Sequence, residues 1–137
     1  MQDPGSQPDQ PLDPEPDPRQ EAPDAEAIAA ELRDEIAAIH RDSYGKGAVE
    51  VKAHLLDNVI VVILEGLELL PNEEFMIEQG QAGAVGELRR QFQLAIEPTF
   101  RAAAERATGR RVVAFVSHTH LEEPRFAVEV FRLGTES

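Results

Sequence analysis

The sequence contains no cysteine and no tryptophan, and its 13 basic residues are outnumbered by 26 acidic ones. Without cysteine the chain can form no disulfide, no thiolate metal site and no cysteine nucleophile. The resulting net charge of -13 opposes binding to the phosphate backbone of nucleic acids. The longest uninterrupted apolar run, residues 59–64, is far shorter than the roughly 20 residues that span a bilayer. These absences predict a soluble protein that does not insert into a membrane.

The charged and apolar residues are unevenly distributed along the 137 residues. Residues 1–25 contain seven of the ten prolines and seven acids against one base, with Leu12 as the only large aliphatic residue after Met1. Such a segment cannot bury enough apolar surface to offset the entropy lost on ordering. We therefore predict a disordered acidic tail over 1–25 and one folded domain over 26–137. Acids and prolines stand where a signal peptide would have a basic start and an apolar stretch, which favours a cytoplasmic protein.

The first half of the domain shows a helical pattern followed by two strand patterns. Ile28, Leu32, Ile36 and Ile39 recur at helical spacing, and Asp24 is a suitable N-cap. Apolar and polar residues alternate from residue 49 to 54, and the apolar run 59–64 follows. Asp57-Asn58 between them is suited to a two-residue hairpin turn. We predict a helix and a hairpin whose second strand is buried on both faces.

The second half begins with Pro71, which is favourable at the start of a short helix. A longer helix follows to about Ala107, with an apolar face formed by Val85, Leu88, Phe92, Ile96, Phe100 and Ala104. Pro98 lies within this pattern and predicts a kink or a split. Two strand patterns, residues 111–118 and 125–133, complete the domain around a turn at residues 122–124.

The expected fold is therefore a single α+β domain of order α-β-β-α-α-β-β, with a four-stranded mixed sheet and helices packed on it. The second and third strands are apolar on both faces, so we place them in the centre with the alternating strands at the edges. One face of the sheet is expected to be covered by helices. The other is covered either by a further helix or by a second copy of the protein, and we expect a homodimer.

Several segments resemble one bacterial family in their order along the chain. They are Gly45-Lys46-Gly47, VVILEG at 61–66, LLPNEE at 69–74, GELRRQF at 86–92, TGRRVVAFVSHTH at 108–120 and AVEVFRL at 127–133. They lie within the run from Glu31 to Leu133, which resembles the MpsC-like domain family, a domain of unknown function. The family is named after a sodium-dependent system that generates membrane potential and is linked to inorganic-carbon uptake. The resemblance implies an accessory protein of such a system, and it supplies no catalytic residue.

His118 and His120 are candidates for a metal site because residues two apart on a strand share a face. Sequence supplies no clear third ligand nearby, and two hydrogen-bonded histidines at a strand end are the simpler interpretation. The resemblance leads us to expect Asp at the position of His118 in many members of the family, which argues against an essential role for this histidine. We expect no bound metal and no cofactor.

Gly80-Gln81-Ala82-Gly83 lies between two predicted helices and resembles the GXXG loop with which KH domains clamp a nucleic-acid backbone. The order of elements up to the third strand also fits a type II KH domain. However, the two central loop residues are uncharged, and residues 26–137 contain 19 acids and 12 bases, a net charge of -7. A helix-helix turn is the simpler interpretation, and we expect no nucleic-acid partner.

No G-x-S-x-G, P-loop or dinucleotide motif is present, and sequence cannot show two carboxylates converging in one cleft. We therefore predict a non-enzymatic accessory or regulatory protein with a protein partner, associated with a membrane cation or inorganic-carbon translocation system. A KH-like RNA-binding module is one alternative. A small-ligand or metal-binding protein is the other.

Overall fold

The computed structural model describes residues 24–135 of the chain, so the predicted tail lies outside the described residues except for Asp24 and Ala25. Three helices and four strands follow one another in the predicted order. They are α1 (Ala25–Tyr44), β1 (Ala48–Leu56), β2 (Val59–Leu67), α2 (Pro71–Glu78), α3 (Ala82–Thr108), β3 (Val112–His120) and β4 (Phe126–Leu133). The α+β class and the element order are confirmed.

Local chemistry explains where these elements begin and end. The Asp24 carboxylate accepts a hydrogen bond from the Glu26 N–H and caps α1, which ends at Gly45 with φ +83°. Asp57 adopts a positive φ of 56° in the predicted turn between β1 and β2. Helix α3 runs without a break from Ala82 to Thr108 although Pro98 lies inside it, so the predicted split does not occur.

The strand order is β1-β2-β4-β3, and all three pairings are antiparallel. The expectation of a mixed sheet is therefore wrong, and so is the central position given to the third strand. Strand β4 lies inside the sheet between β2 and β3, while β3 is an edge strand. Val113 and Val116 of β3 are apolar but exposed, so the apolar composition of this strand does not indicate a central position in the sheet.

Helices α1 and α3 pack on the same face of the sheet and on each other. The core between them contains Leu32 and Ile36 of α1 and Phe100 of α3. Its sheet side is formed by Ile60, Val62, Leu64, Ala127, Phe131 and Leu133. From Val59 to Glu65, alternate residues of β2 are thus buried under the helices and the others are only half-buried. The expectation that this strand is buried on both faces is wrong for the described residues.

Candidate functional site

The Gly80–Gly83 segment lies at the junction of α2 and α3, and each of its residues is exposed or half-buried. Gly80 has φ +80° and follows α2, whereas Gly83 lies in the first turn of α3 and is not a loop residue. The segment is therefore a tight helix-helix turn whose two glycines stand in different local structures. RNA binding through this segment stays an alternative hypothesis from the sequence.

His118 and His120 lie on β3 and point to the sheet face that is opposite to the helices. The Nδ1 atom of His120 is 2.9 Å from the carbonyl oxygen of Pro124, which gives this ring a hydrogen bond inside the turn. Within residues 24–135 no three His, Asp or Glu side chains converge in a way that could hold a metal ion.

A cluster of buried polar side chains lies instead between α1, the start of α2, α3 and β4. Its members are His40, Tyr44, Glu73, Arg89, Gln93 and Glu129, all of them buried. We call this set the buried polar cluster. Burying a polar group costs free energy unless the group is paired, so the hydrogen bonds within the cluster are needed to offset the cost of its burial.

An ion pair between Arg89 and Glu73 forms one half of the cluster. The guanidinium donates from Nε to Glu73 Oε2 at 2.7 Å and from Nη2 to Oε1 at 2.9 Å. The same carboxylate accepts the backbone N–H of Leu70 at 2.8 Å, which ties the pair to the start of α2. Burial raises the pKa of Glu73, but these hydrogen bonds and the charge of Arg89 outweigh it and leave the pKa lowered. Glu73 is thus a buried anion.

A chain of side-chain hydrogen bonds forms the other half. The Tyr44 hydroxyl donates to Gln93 Oε1 at 3.0 Å, and Gln93 Nε2 donates to Glu129 Oε2 at 3.2 Å. The Arg89 guanidinium lies 4.6 Å from the centre of the Tyr44 ring, so the two halves meet there. Burial raises the pKa of Tyr44 to about 12, so its hydroxyl stays protonated and can donate well above neutral pH.

Glu129 and His40 are each left with one atom that has no hydrogen-bond partner within residues 24–135, Oε1 and Nδ1 respectively. Burial raises the pKa of Glu129 to about 8, and the hydrogen bond from Gln93 opposes the shift only in part. Burial and the nearby charge of Arg89 lower the pKa of His40 to about 4, with Glu73 opposing. Both groups are therefore neutral at pH 7, as buried groups without a counterion should be.

A groove of about 340 Å³ runs between α3 and the edge strand β3 and extends to the cluster. Arg89 and Gln93 line it from the helix, and Phe115, Ser117, His118 and Thr119 border it on the strand. Its size suits a small molecule, and its polar lining groups would orient one. A larger depression of about 560 Å³ lies near Gly109 and Gly134, but no member of the buried polar cluster lines it.

Sequence reasoning missed every residue of this cluster. The apolar face predicted for α3 includes Leu88 and Phe92, yet these are 52% and 43% exposed, while the adjacent Arg89 and Gln93 are buried. The spacing of the buried residues is the signal that could have revealed the cluster. On α1, the buried residues recur at steps of four: Leu32, Ile36, His40 and Tyr44. On the facing helix α3, Val85, Arg89 and Gln93 recur at the same step.

The family described as "Na+-translocating membrane potential-generating system (MpsC)" matches residues 24–134. The match extends from the N-cap of α1 to the residue after β4 and so includes all seven elements of the fold. Comparisons with curated proteins and with solved structures found no match. The resemblance noted in the sequence is confirmed, and the chain belongs to the MpsC family.

Proposed function

We propose that this domain is a non-enzymatic accessory subunit of a membrane system that translocates Na+ or takes up inorganic carbon. The observation that supports the role most directly is the family match over residues 24–134, since the family description names a Na+-translocating system. In this role the domain binds a membrane-embedded protein partner from the bacterial cytoplasm and regulates it through contact. Within residues 24–135 no helix combines the length and apolar character needed to cross a bilayer.

The contacts of the buried polar cluster support a structural role for its side chains over a catalytic one. Arg89 is paired with Glu73, Tyr44 with Gln93, and Gln93 with Glu129, so these side chains hold α1, α2, α3 and β4 together. General acid-base catalysis needs a titrating group within hydrogen-bond reach of a substrate. Glu129, whose pKa of about 8 lies closer to neutral than that of His40 or Tyr44, is 1% exposed.

Membrane potential measured with a voltage-sensitive dye tests the accessory role. Cells from which the gene is deleted should lose the increase in potential that Na+ produces, and the full chain supplied in trans should restore it. Replacing Na+ with K+ at equal ionic strength is the control. An unchanged Na+ response in the deletion strain would refute the proposal for Na+, and the same strain's uptake of labelled bicarbonate would decide the inorganic-carbon alternative.

Small-ligand binding in the groove between α3 and β3 is a second candidate, favoured by the two buried polar side chains, Arg89 and Gln93, that line it. Native mass spectrometry of gently purified full chain should then show a bound small molecule. Ser117→Trp, which fills the groove, should abolish the bound mass, while Lys46→Trp in an exposed loop should retain it. An unliganded mass in the wild type, or binding that survives Ser117→Trp, would argue against this function.

A further inference from the structure

The face of the sheet opposite to the helices has more apolar than polar side chains. The strand register places sixteen side chains on it: Glu50, Lys52, His54, Leu56, Val59, Val61, Ile63, Glu65, Ala114, Val116, His118, His120, Phe126, Val128, Val130 and Arg132. We call this surface the open face. Val116 is 62% exposed and Leu56 is 59% exposed, and within residues 24–135 all helices that contact the sheet lie on its other side.

We propose that the open face is the interface of a homodimer in which two sheets pack face to face. Four strands about 4.8 Å apart and four rows of side chains about 6.8 Å apart give an area of about 500 Å² per protomer. Two protomers would bury about 1,000 Å² before their rims are counted, which reaches the lower limit of a specific interface. A two-fold axis is the commonest arrangement for such a self-contact.

Charge favours a second copy at this face and disfavours it elsewhere. Residues 26–137 have a net charge of -7, so most of the surface repels an identical domain. The open face, by contrast, is neutral apart from its histidines. Its acids Glu50 and Glu65 are balanced by Lys52 and Arg132, and Lys52 Nζ lies 4.0 Å from Glu65 Oε2.

The chain's own N-terminal segment is a poorer occupant of this face. Residues 1–23 contain six acids, one base and seven prolines, and Leu12 is their only large aliphatic residue after Met1. They offer little apolar surface to match the valines of β2 and β4, and proline cannot donate a backbone hydrogen bond. The homodimer does not depend on the accessory role, because it rests only on the apolar side chains of the open face and on the charge of the domain.

Sedimentation equilibrium of the full chain at about 50 μM tests the interface. We expect twice the 15.1 kDa chain mass for the wild type. Val130→Glu at the centre of the face and Val116→Glu near its exposed edge should each raise the dimer dissociation constant at least tenfold. Val49→Glu is the matched control, because Val49 is 77% exposed in the same sheet but lies outside the open face.

Circular dichroism shows whether each variant is folded, and Val116→Glu keeps the test valid if Val130→Glu fails to fold. A monomeric wild type would overturn the proposal. A dimer that persists in folded Val116→Glu would do the same, since it would place the contact elsewhere. A chain that is monomeric at full length and dimeric without residues 1–23 would identify the N-terminal segment as the occupant and would also overturn it.

Discussion

Glu129→Gln is expected to raise the free energy of unfolding at pH 8 by several kcal/mol and to leave it nearly unchanged at pH 4. Glutamine has the shape of the neutral acid and can still accept the hydrogen bond from Gln93 Nε2. It cannot ionise, so it avoids the cost of a buried carboxylate with no counterion. Denaturant titrations from pH 4 to pH 9 measure the difference directly.

The sign of this effect follows from proton linkage. The pKa of Glu129 is about 8 in the folded domain and roughly 4.3 in an unfolded chain. Between these values the native state holds a proton that the unfolded state has released. Stability therefore falls as pH rises through this window, by at most about 1.4 kcal/mol per pH unit. Exposed Glu31→Gln is the control and should not alter the slope.

His40 opposes this trend over part of the range. Its pKa is about 4 in the folded domain and roughly 6.5 in an unfolded chain, so it destabilises the native state as pH falls through that window. From about pH 4.5 to 6.5 the two residues nearly cancel, and above pH 6.5 only the loss from Glu129 remains. Wild-type stability should thus be level between about pH 4.5 and pH 6.5 and decline toward pH 8. A steady rise over that upper range would contradict the assignment.

Arg89→Met is expected to destabilise the domain by about 3–5 kcal/mol, because it leaves the Glu73 carboxylate buried without its cation. The side chains of this pair are only 3% and 11% exposed. Arg90→Met is a matched control in the next residue. Arg90 pairs with Glu87 at the same distance of 2.7 Å, but the two side chains are 61% and 52% exposed. Because solvent screens that exposed pair, Arg90→Met should destabilise the domain far less than Arg89→Met.

Thermal unfolding followed by circular dichroism compares the two variants, and about 1 kcal/mol corresponds to several degrees in a domain of this size. Because Arg89→Met could unfold the domain completely, the double variant Arg89→Met/Glu73→Leu completes the test. Removing both charges should restore much of the lost stability. Equal losses for Arg89→Met and Arg90→Met would show that burial does not set the strength of the Arg89–Glu73 pair.

The elements themselves follow from local sequence. The spacing of Leu32 and Ile36 identifies the buried stripe of α1, and Asp24 and Gly45 set its ends through hydrogen bonding and a positive φ. The Asp57-Asn58 turn and the two strand patterns around it predict the first hairpin, which the structure contains. These features depend on residues a few positions apart, so the sequence by itself determined them.

The arrangement of those elements was decided by tertiary structure. The alternation of residues in β4 shows that the two faces of the strand differ, but it does not show which face is directed inward. The fold buries Ala127, Glu129 and Phe131, whereas Val128 and Val130 lie on the open face. Glu129 meets Gln93 from 36 residues away, and Tyr44 meets Gln93 from 49 residues away. Periodicity and turn chemistry act within a few residues, whereas strand order and the partners of a buried charge are settled only when distant segments pack together.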